Sequence, residues 1–234
     1  MDVLLSVLAR SNFIESNRFE SKPFVFHCVP GAGKSTLIRE LLSLDERFVA
    51  ITFGKPDHPN LSGRFIQSSG VDKKVLEGKL VLIDEYNCGP YWEFKAFAVF
   101  GDPLQKVSKT LRANYINFET KRFGQSTCAL LNSLGFEVTS NKEDVVEIAE
   151  IIGGEPEGLV VAVESEAVDI VRDSGYECYC IEELRGITAE VVTFVAASNK
   201  PPPELREEIF VALTRHRSKL LILAPDAYYG PTKL

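Results

Sequence analysis

Apolar residues recur along this chain in short runs separated by polar, Gly- and Pro-containing stretches. Phe24-Val25-Phe26 reads as a strand, and Leu37-Ile38-Arg39-Glu40-Leu41-Leu42 places apolar residues at helical spacing. Phe48-Val49-Ala50-Ile51-Thr52-Phe53 predicts a second strand. Lys79-Leu80-Val81-Leu82-Ile83 and Phe97-Ala98-Val99-Phe100 are continuous apolar runs of the kind that suit buried parallel strands. Leu4, Val7 and Leu8 share one helical face and predict a short packing helix, and the segment 61–77 reads as a polar helix or loop.

Strand patterns continue at 114–118, 136–139, 159–163, 191–197 and 220–223. Helical patterns lie at 125–134 and around 142–152, 166–174 and 204–214, the last opened by Pro201-Pro202-Pro203. Strands alternating with helices predict an α/β architecture in two units, 1–115 and 116–234. No apolar run approaches membrane-spanning length.

The junction between the first strand and its helix is His27-Cys28-Val29-Pro30-Gly31-Ala32-Gly33-Lys34-Ser35-Thr36. Strand, Gly-rich turn and helix is the context a phosphate-binding loop requires. Gly31 and Gly33 let the backbone curl its N–H groups toward an anion, with Pro30, Ala32 and Thr36 completing the loop. Lys34 suits the β- and γ-phosphates, and the Ser35 hydroxyl suits Mg²⁺. Cys28 stands where the usual pattern opens with Gly.

The strand 79–83 delivers Asp84 and Glu85 at its end. Asp84 is placed to hold Mg²⁺, and Glu85 to orient and deprotonate an attacking water. Gly101-Asp102-Pro103-Leu104-Gln105 follows the next strand; Gln105 is a neutral amide of the kind that senses a γ-phosphate. Phe53 and Lys55, at a strand end, suit stacking a base and holding a phosphate.

The second half has no phosphate loop of its own. It offers Arg185-Gly186-Ile187-Thr188-Ala189-Glu190 and Val211-Ala212-Leu213-Thr214-Arg215-His216-Arg217, each beside a strand. An arginine at a helix end fits arginine-finger logic, which makes Arg215 a candidate and Arg122 a second.

Charge sharpens the picture. The net charge of −7 argues against a general polyanion-binding surface. Residues 1–115 carry +2 and residues 116–234 carry −9, so any nucleic acid belongs in a local groove to which the first half gives most of the positive charge. Five scattered cysteines predict a reduced intracellular protein rather than a disulfide scaffold, and the three histidines have no zinc-ligand spacing.

Taken in order, Gly-Ala-Gly-Lys-Ser-Thr, Ile-Asp-Glu-Tyr, Gly-Asp-Pro-Leu-Gln, Arg-Gly-Ile-Thr-Ala-Glu and Val-Ala-Leu-Thr-Arg-His resemble the motifs of superfamily 1 RNA helicases of the alphavirus-like group. The compact form resembles the helicases of the plant-virus triple gene block, the potexvirus type in particular. The resemblance implies two RecA-like P-loop NTPase domains, parallel sheets flanked by helices, with ATP and Mg²⁺ bound in the cleft between them. It implies RNA-stimulated ATP hydrolysis with weak or non-processive unwinding, and binding of single-stranded RNA without sequence specificity.

It also implies viral cell-to-cell movement, suppression of RNA silencing, and location in the host cytoplasm and at plasmodesmata. Expected partners are a second copy of the chain, the viral coat protein, the small triple gene block membrane proteins and host silencing factors. On this resemblance Lys34, Ser35, Asp84, Glu85 and Gln105 are the nucleotide and hydrolysis residues. Arg215 and Arg122 are the arginines, and Gly186, Thr188 and Glu190 couple RNA to the nucleotide. Arg185 departs from the family, where Gln is usual.

Two other readings stand beside this one. The loop alone would suit a small-molecule phosphotransferase, which has no use for the acid pair, Gly-Asp-Pro-Leu-Gln and a second α/β unit together. A non-catalytic scaffold for RNA and host factors, using ATP only as a conformational switch, has the same motifs.

Overall fold

In the computed structural model, which describes residues 2–17, 22–104, 110–181, 183–184 and 186–231, the apolar runs of the first half become one sheet. The elements are α1 (Asp2–Leu8), β1 (Ile14–Glu15), β2 (Phe24–Cys28), α2 (Lys34–Leu44), β3 (Phe48–Thr52), β4 (Ile66–Ser68), β5 (Leu80–Asp84), β6 (Ala96–Gly101) and β7 (Tyr115–Asn117). The strand order is β1-β7-β2-β6-β5-β3-β4. Only β1 runs antiparallel to its neighbour.

Alternation along the strands explains how both faces are covered. Phe26, Leu82, Ala98 and Phe100 pack against Leu4, Val7 and Leu8 of α1 and Ile38 and Leu41 of α2. Val25, Val81, Ile83 and Val99 point the other way, against Ile51, Leu76 and Tyr86. The amphipathic face read at residues 4, 7 and 8 is therefore a packing face, as expected.

The second unit contains α3 (Gln125–Ser133), β8 (Val145–Glu150), β9 (Leu159–Ala162), α4 (Ser165–Asp173), β10 (Ala189–Val195), α5 (Arg206–Leu213) and β11 (His216–Ala224). Its sheet is wholly parallel, in the order β8-β11-β10-β9. Val160, Ala162, Val195, Leu221 and Leu223 pack on Ala167 and Val171 of α4. Ile209, Phe210 and Leu213 of α5 are also buried. No helix of the described residues is long and apolar enough to cross a membrane.

The boundary and three elements differ from the sequence expectation. The units divide at Glu119 and Thr120, because β7 pairs with β2 and so extends the first sheet. The helix expected around 142–152 is instead β8. Its apolar positions fit either period, but six residues from Val145 to Glu150 pair in register with Lys219 to Ala224, and β-branched Val and Ile favour that outcome. The strand expected at 136–139 does not form. The Asn132 side chain donates to Val138 O at 3.1 Å and accepts from Val138 N at 3.0 Å, satisfying groups a ladder would have used. The segment 61–77 holds β4 and a 3₁₀ turn, Lys73–Leu76, opened by the Asp72 side chain accepting from Lys74 N.

Candidate nucleotide site

The chain leaves β2 at Cys28 and enters α2 at Lys34, and the turn between them is held by backbone hydrogen bonds to itself and to β7. Val29 N–H donates to Asn117 O at 3.1 Å, and Ala32 N–H to Val29 O at 3.2 Å. Gly31 and Gly33 have φ of 78° and 91°, the left-handed region that an L side chain resists. Gly33 sits at the start of α2, which carries no side-chain cap. First-turn N–H groups have no partner within a helix, so this helix start presents donors and a positive dipole end to an anion.

Strand order brings the acid pair to this turn. β5 lies one strand beyond β2, with β6 between them. The Ser35 hydroxyl donates to Asp84 Oδ2 at 3.2 Å, and Lys34 Nζ lies 3.3 Å from Glu85 Oε1. Asp84 Oδ1 accepts from Glu85 N–H at 3.0 Å. Glu85 takes φ of 51°, one of two non-glycine residues with positive φ among the described residues. Such strain persists only where surrounding structure imposes it, and it concentrates at functional sites.

Charge in this cluster is tightly balanced. Burial, followed by the Glu85 charge, pushes the Asp84 carboxyl up to about 6, while Lys34 and the Ser35 hydroxyl pull the other way. Burial disfavours the Lys34 ammonium, but the surrounding anions, Glu85 foremost, outweigh it and hold Lys34 above the usual lysine range. Burial pushes the Cys28 thiol up to about 12, so it packs as a neutral side chain.

A hydroxyl and one carboxylate are hard oxygen donors that fit Mg²⁺, which ordinarily takes one or two carboxylates and completes its shell with water and phosphate oxygens. Among the described residues no cluster of three or more His, Cys, Asp or Glu is poised for a metal. The Ser35 hydroxyl and the Asp84 carboxylate fit a magnesium ion that arrives with phosphate.

A second network ties the same segments together. His27 Nε2 and the Tyr86 hydroxyl are 2.8 Å apart, and that hydroxyl accepts from Leu111 N–H at 3.1 Å. Burial lowers His27 to about 4, so its ring is neutral. Asn87 Nδ2 donates to Asp102 O at 2.6 Å. The strand before the loop, the turn after Glu85 and the end of β6 are joined. Tyr86 and Asn87, next to the acid pair in sequence, were the available signal for this network, and the sequence reading passed over them.

Phe53 N–H donates to Asp84 O at 3.3 Å, and the Phe53 ring is half-buried against Phe94. Lys55 is exposed. In the second unit Arg215 is 3% exposed, and its Nε donates to Val211 O at 3.1 Å. Arg122 Nη1 donates to Thr214 O at 3.1 Å, so both arginines engage the end of α5. Gly186 has φ of 75°, and Thr188 precedes β10. Glu190 Oε2 accepts from Ser218 Oγ at 2.7 Å. Gln105 and Arg185 lie outside the described residues.

Beside Arg215, His216 Nε2 lies 3.2 Å from Asp144 Oδ2 and 2.9 Å from Thr127 Oγ1. Asp144 Oδ1 also accepts from Ser126 N–H, at 2.9 Å, at the start of α3. This buried cluster pins the first residue of β11, and Asp144, within a segment read as helical, gave no sequence signal for it.

Residues 24–224 match the model of the viral superfamily 1 RNA helicase core domain. The movement and silencing protein TGBp1 of Poplar mosaic virus (isolate ATCC Pv275) is 47% identical over 99% of this chain and 100% of its own length. The protein of that name from Papaya mosaic potexvirus is 34% identical, over 97% of this chain and 96% of its own. Among solved structures, the PRRSV helicase shares the fold with a TM-score of 0.60 at 19% identity, covering 96% of this chain and 54% of its own. Arterivirus nonstructural protein 10 (helicase) in complex with DNA gives a TM-score of 0.54 at 19% identity, covering 96% of this chain and 57% of its own. The chain therefore spans little more than half the length of those two helicases. With a Gly-Ala-Gly-Lys-Ser-Thr turn facing an acid pair on parallel strands, the core-domain match over most of the chain and the full-length relatives at this identity make the chain a member of the viral superfamily 1 RNA helicases.

Proposed function

We propose that this protein is an RNA-stimulated ATPase of two RecA-like domains that serves viral cell-to-cell movement and suppression of RNA silencing. The observation that carries the catalytic part is the pairing of Lys34 with Glu85 beside that of Ser35 with Asp84. Lys34 and the N–H groups at the start of α2 bind the β- and γ-phosphates. Ser35 and Asp84 hold Mg²⁺, which when bound neutralises charge that develops on the phosphates.

An arriving γ-phosphate competes for Lys34 and frees Glu85, the candidate general base, to take a proton from water. Arg215 takes the arginine-finger role with Arg122 as second arginine, and Gln105 the role of γ-phosphate sensor. Single-stranded RNA, bound through its backbone and without sequence specificity, is held by Phe53, Lys55, Thr188 and Glu190, and Gly186, Thr188 and Glu190 couple it to the nucleotide. The movement and silencing roles rest on the names of the relatives. Self-association and contacts with coat protein, the small triple gene block proteins and host silencing factors, in the host cytoplasm and at plasmodesmata, belong to the same proposal.

The test is ATP hydrolysis by the purified protein with and without single-stranded RNA, beside Glu85→Gln. RNA stimulation that the variant loses supports the motor. ATP binding without hydrolysis supports the scaffold reading, which the departure at Cys28 favours.

A further inference from the structure

Four rings of the first unit form a continuous column. The His27 and Tyr86 rings are 6.0 Å apart and nearly parallel, at 3°. Tyr86 and Tyr91 follow at 5.3 Å and 86°, then Tyr91 and Trp92 at 5.4 Å and 77°. The column starts on the strand that feeds the phosphate loop, passes the residue after Glu85 and ends at Trp92, which is 65% exposed. Phe94 packs on the same apolar cluster, 6.0 Å from Phe53, with Lys73 Nζ 5.1 Å above its ring.

Trp92 is not on a slack loop. Tyr91–Glu93 is a 3₁₀ turn, with Tyr91 N–H bonded to Gly89 O, Glu93 N–H to Pro90 O and Phe94 N–H to Tyr91 O. Gly89 itself faces Phe53, where a Cβ would sit 2.2 Å from the ring. The turn therefore holds an indole out in water on a fixed base.

We propose that Trp92, with the open part of Phe94, is a stacking site for unpaired bases of single-stranded RNA. This rests on the RNA-binding reading above and names a contact point for it. Exposed aromatic faces beside cations are what a strand of stacked bases and phosphates recognises. Lys73 lies over Phe94 with its Nζ 3.1 Å from Glu93 Oε2, Lys95 is exposed three residues after Trp92, and the first half carries the chain's positive balance. A lipid-facing patch would need contiguous apolar surface, whereas Trp92 is followed by exposed Glu93 and precedes exposed Lys95. A base on Trp92 would bear on Tyr91, whose ring meets that of Tyr86, the residue after Glu85, giving RNA a route to the hydrolytic carboxylate.

Trp92 is the only tryptophan of the chain, so its emission reports this site alone. The full-length protein is titrated with single-stranded oligouridylate, and anisotropy of labelled oligouridylate reports binding anywhere. The expected result is saturable quenching that follows the anisotropy curve. Trp92→Ala should weaken RNA binding about tenfold and Trp92→Phe much less. Trp92→Ala should also keep RNA-independent hydrolysis and lose much of the RNA-stimulated increment. RNA binding with unchanged emission and an unchanged Trp92→Ala affinity overturns the site while leaving RNA binding intact. Absence of RNA binding in the anisotropy overturns both readings. Quenching by anionic lipid vesicles but not by RNA reassigns the patch to a membrane and overturns the proposal.

Discussion

Lys34 Nζ lies 3.3 Å from Glu85 Oε1, with the lysine side chain 10% and the glutamate 25% exposed. The residue proposed to receive phosphate thus holds the residue proposed to activate water, and each restrains the other until a nucleotide intervenes. This is a pairing of opposite charges at a mostly buried place, where removing one partner costs more than forming the pair gains.

Replacing Lys34 with Ala should abolish hydrolysis and destabilise the first unit by about 1–3 kcal/mol at pH 8. The variant leaves Asp84 beside the Glu85 charge without the cation that opposes it, so protonation of Asp84 becomes more favourable. Its deficit should shrink as the pH falls from 8 to 5.5, read as the urea midpoint against that of the parent. A deficit that does not change with pH would show that the loss is one of packing rather than charge.

Asp84 gives the opposite sign. Its folded carboxyl titrates at about 6 against an ordinary value of 3.8. A raised carboxylate pKa means that the fold binds the proton better than the unfolded chain does, so this group's cost appears as pH rises from 3.8 and is complete above about 6. Asp84→Asn should therefore raise the melting temperature of the nucleotide-free protein at pH 7.5 while losing Mg²⁺-dependent hydrolysis. In the parent, Mg²⁺-dependent nucleotide binding should weaken as the pH falls through about 6. A variant less stable than the parent at pH 7.5 would contradict the charge argument.

The glycine turn before α2 and the acid pair it meets were legible in sequence because each is a short pattern set by local chemistry: a turn only glycine tolerates, a lysine and hydroxyl at its end, two acids ending a buried strand. The parallel strands were legible for the same reason, as runs too apolar to face water on either side. What failed were segments decided by a distant partner. β8 has a pattern that fits two periods, and only the free edge of β11 settles it. Residues 136–139 lose their strand to one side chain, Asn132. Residues 115–117 join the first sheet because β2 offers a parallel edge, which no local signal reports. Tyr86 and His27 are ordinary residues alone, and their 2.8 Å contact spans the fold of the first unit.

Gly89 tests how firmly the turn after Glu85 is seated. A Cβ there would meet the Phe53 ring at 2.2–2.6 Å, so Gly89→Ala must displace Phe53 or the turn. The expected cost is about 1–3 kcal/mol, typical of overpacking. Because Phe53 N–H bonds to Asp84 O, the displacement should also lower the rate of hydrolysis more than it changes KM for ATP. Phe53→Leu combined with Gly89→Ala should recover part of the stability. Equal melting temperatures for Gly89→Ala and the parent would show that the turn moves at no cost.

In the second unit the Thr127–Asp144–His216 cluster should be the main acid-sensitive anchor. Burial alone would raise the Asp144 carboxyl, but hydrogen bonds from His216, Thr127 and backbone N–H groups outweigh it and hold the group far below the usual carboxylate range. A depressed carboxylate contributes stability that is fully present above the ordinary value of 3.8 and is lost as the pH falls below it. Asp144→Asn keeps the shape but removes the charge, and it puts an N–H₂ group against donors on one side. The expected loss at pH 7 is about 3 kcal/mol, the size of losing hydrogen bonds to a charged acceptor. The gap between variant and parent should narrow below pH 4. Amide hydrogen exchange localises the effect: faster exchange at the start of α3 and the first residues of β11 is expected, where Asp144 bonds Ser126 and His216. Uniform acceleration across the second unit at pH 7, with no narrowing in acid, would assign Asp144 to general packing instead.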